Sequence, residues 1–341
     1  MIGHKVRARG RQRLQAILSP RTLITTILGI IVLATLLSLS DITRVWHIIE
    51  GFPPLVIPAL FALVLVREML RSSEWRVFLN AIGIHASRRE AFLTLAGGDA
   101  AQVIPGGLYF QDLLVSRELG TGVGQPLAAT TLMVWMEVTM AMLALGLFGL
   151  PGIPELRPIM AICGLGSVVT LLTVPGKLVY SVRMMVCHWQ KHLGHLGHKL
   201  LQELDNFIRA FSGLTHWKVI VSGLVLCAAY MTLTTFGFYL VCVSLGLPGI
   251  GIAQATAVYS LVLAVVIINP LPSDLGVSEL SGVGGFLAFH VNPADGLAAM
   301  LTFRILLLLS EELVAGAAFL LFREETLRLF RNSGAADVVQ D

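Results

Sequence analysis

The sequence predicts an all-α, polytopic transmembrane helix bundle of about 6–8 spans. Three observations predict it. Only 13% of the 341 residues are charged, against about a quarter in an ordinary soluble domain. Hydrophobic residues make up 55% and mean hydropathy is +0.80. The apolar residues also fall in continuous runs rather than in short alternating segments, which excludes a membrane β-barrel. A cytosolic enzyme, a disulfide-built secreted domain and a disordered chain are excluded by the same figures.

A membrane helix needs about 20 mostly apolar residues. Spans are expected near 22–40, 52–70, 126–150, 158–176, 219–245, 252–270 and 297–322. The second holds Pro53, Pro54 and Pro58, so a kink or an extension to Leu70 is expected. The long uncharged stretch 219–273 breaks at Leu247-Pro248-Gly249-Ile250-Gly251, giving two spans and a tight turn. Cys163, Cys187, Cys227 and Cys242 show no metal or disulfide spacing and read as small core residues.

Orientation follows the Lys/Arg bias of short loops. The arm 1–21 carries Lys5, Arg7, Arg9, Arg11, Arg13 and Arg21 and no acid, which puts the N-terminus in the cytoplasm. An uncleaved first span is expected, although Ser38-Leu39-Ser40 resembles a signal-cleavage site. Loop 41–51 suits the outside. Loop 67–90, with Arg67, Arg71, Arg76, Arg88 and Arg89, suits the inside, as do loop 177–216 and the tail 323–341. Beside a membrane, the basic arm reads as topology control and contact with anionic lipid rather than nucleic-acid binding.

Two segments are not simple spans. Residues 91–115 hold Asp99, Gln102, Asp112 and the break Pro105-Gly106-Gly107. Residues 270–290 hold Pro270, Pro272, Asp274, Glu279 and several glycines. Irregular backbone at membrane depth survives only where it lines a cavity or packs on protein. Both are expected to be broken or re-entrant helices. Charge bias has 91–115 enter and leave on one side, and leaves open whether 270–290 crosses. Paired interrupted segments point to a transport site.

Charges within spans are candidates for function by default, because a mid-bilayer charge costs at least about 2.5–3.5 kcal/mol. Glu137 sits near the middle of its span, where a hydrogen-bonded structural carboxyl is the alternative. Arg304 could pair with Glu279 or with Glu311, one face and two turns on, or hold an anionic head group. His188, His192, His195 and His198 have spacing compatible with a metal. Gly194, Gly197 and the Leu193, Leu196, Leu200 stripe favour an amphipathic helix on the cytoplasmic leaflet. No nucleotide-binding or hydrolytic motif occurs, and no cofactor is expected.

Trp75-Arg76, the Pro105-Gly106-Gly107 break leading to Leu119-Gly120, and Pro272-Ser273-Asp274-Leu275-Gly276-Val277-Ser278-Glu279 with the later Arg304 carry a family resemblance. The chain resembles the flippase-like transmembrane region of lysylphosphatidylglycerol synthetases over most of 20–325. Gly276 and Glu279 match the family's Pro-Gly-x-x-Gly-x-x-Glu pattern. Ser273 stands where Gly is usual, Ser278 where Arg is frequent, and Tyr109-Phe110 replace a Gly-acid pair. No counterpart of the synthetase's soluble aminoacyl-transferring domain is expected in the chain. The resemblance implies a non-enzymatic lipid translocator in a bacterial cytoplasmic membrane. Its partners would be a phospholipid or other polar lipid, and possible lipid-synthesis enzymes. Pro105, Gly106, Gly107, Asp112, Glu137, Pro272, Asp274, Gly276, Glu279, Arg304 and Glu311 are its candidate site residues. A membrane scaffold and an integral membrane head-group transferase using Asp274 and Glu279 are the other readings.

Overall fold

The computed structural model describes residues 42–101, 109–150, 153–173, 195–247, 249–268 and 276–322, with isolated positions 34, 35, 38, 181 and 184. The arm 1–21, most of the first expected span and the tail 323–341 lie outside the described residues, as do Pro105, Gly106, Gly107, Pro272, Asp274, His188 and His192. Among the described residues there are eleven helices and no strand, so the all-α expectation holds.

The helices are α1 (Ile42–Glu50), α2 (Val56–Ala81), α3 (Arg88–Ala100), α4 (Phe110–Leu119), α5 (Gly124–Phe148) and α6 (Leu156–Thr173). Then follow α7 (His195–Leu214), α8 (Trp217–Ser244), α9 (Ile252–Ile268), α10 (Val277–Ala288) and α11 (Pro293–Leu321). Two of these described helices, α5 and α8, are both long and apolar enough to cross a membrane. Helices α6 and α9 are apolar over shorter runs. With 26 and 29 residues, α2 and α11 exceed the ~30 Å hydrocarbon thickness at about 1.5 Å per residue, but both carry charges.

Helix α2 organises the bundle, packing on α8, α3, α11 and α5. It does not stop at Leu70; the segment expected to be a cytoplasmic loop from 67 is helical as far as Ala81. Pro58 is tolerated because first-turn N–H groups have no intrahelical acceptor. The helix ends where Gly83 adopts φ +84°. There Ile84 N–H bonds to Leu79 O at 2.9 Å and Gly83 N–H to Asn80 O at 3.1 Å, a Schellman closure.

Helix α3 starts from a capping box. Glu90 N–H bonds to Ser87 Oγ at 3.2 Å, and Ser87 N–H to Glu90 Oε2 at 2.7 Å. Replacing Ser87 by alanine is expected to cost about 1 kcal/mol, read as a shift in the unfolding midpoint of detergent-solubilised protein. Beyond the cap nearly every residue of α3 is buried, including Leu93, Leu95, Gly98 and Asp99. That is the pattern of a helix surrounded by protein. Helices α3 and α4 lie on either side of 102–108, and α9 and α10 on either side of 269–275.

Two apolar cores hold these helices. Trp75, Phe78, Leu132, Met136, Leu214 and Ile220 join α2, α5, α7 and α8. Leu60, Phe238, Val258, Phe286, Met300 and Phe303 join α2, α8, α9, α10 and α11. Between apolar helices in lipid, close packing and hydrogen bonds do the work of the hydrophobic effect. Helices α5 and α6 show this: a Cβ added to Gly146 would sit 2.6 Å from Ala161 N. About three turns away along the same pair of helices, Trp135 donates to Ser167 Oγ at 2.6 Å.

Residues 188–194 of the expected leaflet-lying helix lie outside the described residues, and α7 runs on from His195 to Leu214. Its apolar side turns to α5, burying Ile208, Ala210 and Leu214 and placing Phe211 6.2 Å from the Trp135 ring. Glu203 on α7 accepts the Gly124 N–H at 2.8 Å, so a carboxylate caps the positive end of α5.

Candidate functional site

The site grows from one face of α11. Asn292 caps this helix through a 2.9 Å bond from Ala294 N–H, with Pro293 at its first position. Arg304 and Glu311 are seven residues apart, so they share a face and are separated by about 10.5 Å along the axis. The sequence allowed Arg304 either of two acids. The structure gives it Glu279, and gives Glu311 to Arg67 of α2.

Glu279 stands in the first turn of α10, only 1% exposed. Its Oε2 accepts Gly276 N–H at 2.8 Å and Ser278 Oγ–H at 2.9 Å. Its Oε1 accepts Arg304 Nη1 at 2.5 Å, and the same nitrogen lies 2.7 Å from Ser278 Oγ. Gly276 has φ +82°, a region that a side chain would disfavour. Glycine adopts this conformation without a steric cost, so the chain turns into α10 with the Glu279 carboxylate folded back on the helix N-terminus.

A second, larger cluster lies between α2, α3, α5, α8 and α11. Arg67 Nη1 reaches Glu311 and also Glu68 Oε1 at 3.0 Å. Arg71 Nη1 bonds to both oxygens of Asp99 at 3.0 Å and reaches Glu68 Oε2 at 3.5 Å. Arg71 Nε stands 4.0 Å from Glu137 Oε1. Tyr230 on α8 donates to the same Glu137 oxygen at 2.8 Å. Glu68, Arg71, Glu74 and Asp99 are all buried. Arg67 Nε and Arg71 Nε are buried donors without a hydrogen-bond partner, an arrangement native interiors rarely leave unanswered.

A small apolar groove, with a volume of about 20 Å³, lies between α2, α8 and α11 and runs up to Arg67. Leu60, Leu63, Leu233, Phe303 and Leu307 line it. One guanidinium therefore sits where an oily groove meets an ionic network.

Asp112 occupies a separate polar spot. Thr130 donates to its Oδ1 at 2.7 Å, Gln111 Nε2 donates to the same Thr130 hydroxyl at 2.8 Å, and Asp112 Oδ2 is buried without a partner. Among the described residues no group of His, Cys, Asp and Glu is placed to hold a metal ion.

Of the expected site residues, Gly276, Glu279 and Arg304 come together, Glu137 and Glu311 join the larger cluster, and Asp112 stands by itself with Thr130. Sequence reasoning missed Arg67, Glu68, Arg71, Glu74 and Tyr230, and noted Asp99 only as a polar break. The signal was present: Arg67, Arg71 and Glu74 follow i, i+4, i+7 spacing directly after an apolar run.

Long helices with ion pairs threaded through their interior define a helical membrane protein with a charged core. A family model described as the lysylphosphatidylglycerol synthase TM region matches residues 24–310, and the chain belongs to this family. No curated protein and no solved structure matches the chain. Membership makes this a membrane protein of lipid metabolism or lipid handling.

Proposed function

We propose that the protein translocates a phospholipid or other polar lipid between leaflets without altering it chemically. The observation that carries this reading is the meeting of the apolar groove and the buried ion network at Arg67. A lipid is itself an oily tail joined to a charged head. Tails in the surrounding bilayer, lying along the mouth of the groove, would bring a head group to the unanswered Arg67 and Arg71 Nε donors. A guanidinium suits a phosphodiester because its planar fork donates two parallel bonds.

Arg304 is the second station on the same path. It lies on the Glu311 face of α11, and at 21% its side chain is more exposed than that of Glu279. A head group passing between Arg67 and Arg304 exchanges one guanidinium for another and is never left bare in hydrocarbon. The setting is a bacterial cytoplasmic membrane with the basic arm 1–21 on the cytoplasmic side.

The test is a leaflet-accessibility assay in proteoliposomes with a fluorescently tagged anionic phospholipid. Arg304→Ala and Glu279→Gln are each expected to slow translocation about tenfold or more, equivalent to about 1.4 kcal/mol on the barrier. Wild-type rates in both variants, with normal folding, contradict the proposal.

A further inference from the structure

The large cluster is out of charge balance. Arg67 and Arg71 face Glu68, Asp99, Glu137 and Glu311, and Glu74 stands beside them. Glu74 is 0% exposed, and neither of its carboxylate oxygens accepts a hydrogen bond. Its electrostatic neighbours are Glu137, Arg71 and the Tyr230 hydroxyl. An ionised carboxylate in this position would be a buried, unpaired charge next to another carboxylate. Such a group avoids a cost of several kcal/mol by taking a proton.

We propose that Glu74 is a proton-binding site, and that its proton is exchanged with Glu137 through Tyr230 as the lipid head group moves. The second half of the route is present in the geometry. Tyr230 already donates its one proton to Glu137 Oε1 at 2.8 Å, so its oxygen remains an acceptor. Cys227 Sγ lies 3.4 Å from that oxygen on the same helix. A proton on Glu74 is then delivered to the Tyr230 oxygen while the original Tyr230 proton passes to Glu137. The Glu74 O–H bond breaks, a Glu137 O–H bond forms, and Tyr230 ends as it began. Glu74 becomes a carboxylate, Glu137 becomes neutral, and no electrons change hands.

The driving event is the position of Arg71. Arg71 Nε stands 4.0 Å from Glu137 Oε1 and serves as its counter-ion. An anionic head group that draws Arg71 away removes the counter-ion and favours moving the proton to Glu137. The other ionisable groups around the site are Glu68 on α2, Asp99 on α3, Tyr259 on α9 and Glu311 on α11. These surround the Arg67 and Arg71 guanidiniums. The link to lipid movement rests on the translocation reading; the proton on Glu74 does not.

Infrared spectra of the purified full-length protein at neutral pH test the site directly. Wild type is expected to show the carbonyl stretch of a buried protonated carboxylic acid, reduced by one group in Glu74→Gln and shifted in Tyr230→Phe. The Glu74→Gln amide keeps the size and donor of the protonated acid, so this variant is expected to fold. An identical band in wild type and Glu74→Gln overturns the proposal. In proteoliposomes Glu74→Gln and Tyr230→Phe, which both interrupt the exchange, are expected to slow translocation of the tagged lipid about tenfold. Wild-type rates in both variants overturn the exchange. If the band behaves as expected but the wild type moves no lipid, the translocation reading fails and the proton site stands.

Discussion

Arg71→Ala is expected to destabilise the protein by about 3–5 kcal/mol, the range for removing one partner of a buried ion pair. Arg71 is the hub of the cluster: Asp99 takes two bonds from it, and Glu68 and Glu137 lie within 4.0 Å. Without it, those carboxylates are left buried and facing one another. Unfolding of the detergent-solubilised protein measures the loss. A second signature separates electrostatics from lost packing. Protons can replace the missing guanidinium, so the variant's deficit should shrink in acid. A change below about 1 kcal/mol, or one that ignores pH, would mean that the cluster is solvated rather than sealed.

Phe238→Ala is the other large effect, at about 3–5 kcal/mol. Phe238 is fully buried, with ring centroids of Phe303 at 5.1 Å, Phe286 at 5.8 Å and Tyr259 at 5.9 Å. Those rings belong to α11, α10 and α9, so this one side chain clamps four helices. Its removal also reaches the site. Phe286 lies seven residues from Glu279 on α10, and loosening it frees the end of α10 that presents Glu279 to Arg304. Lower stability should therefore come with slower lipid translocation. Phe238→Leu, which refills most of the cavity, should recover most of both. Stability lost with no change in rate would separate the aromatic clamp from the site.

The apolar helices were legible because hydrophobic continuity is a local property. Helix α5 runs Gly124–Phe148 against the expected 126–150, and α8 runs Trp217–Ser244 against 219–245. Helix α2 was misread for a physical reason. The positive-inside rule treats Arg67, Arg71 and Arg76 as loop charges, whereas Arg71 is buried and Arg67 nearly so, because acids from three other helices come to meet them. Those acids lie up to 244 residues away, and no local pattern announces them. The Arg304 partner was legible only as a pair of alternatives. Sequence spacing favours Glu311 as much as Glu279, and only the placement of α10 against α11 decides between them. Glu137 stands out in the sequence as a charge within a span, expected at the site or, alternatively, as a hydrogen-bonded carboxyl; its hydrogen-bond partner Tyr230 is 93 residues on. Asp112 was grouped with a broken helix; its bonds are to Thr130, on the next helix.

A head-group path along α11 is tested most directly by photocrosslinking in the membrane with a phospholipid carrying its reactive group on the head. The expected crosslinks fall at Arg67, Glu279, Arg304 and their immediate neighbours, and excess unlabelled lipid reduces them. Crosslinks confined to the outward, exposed side of the same helix, at Ile305, Leu309 and Leu313, would contradict passage through the interior.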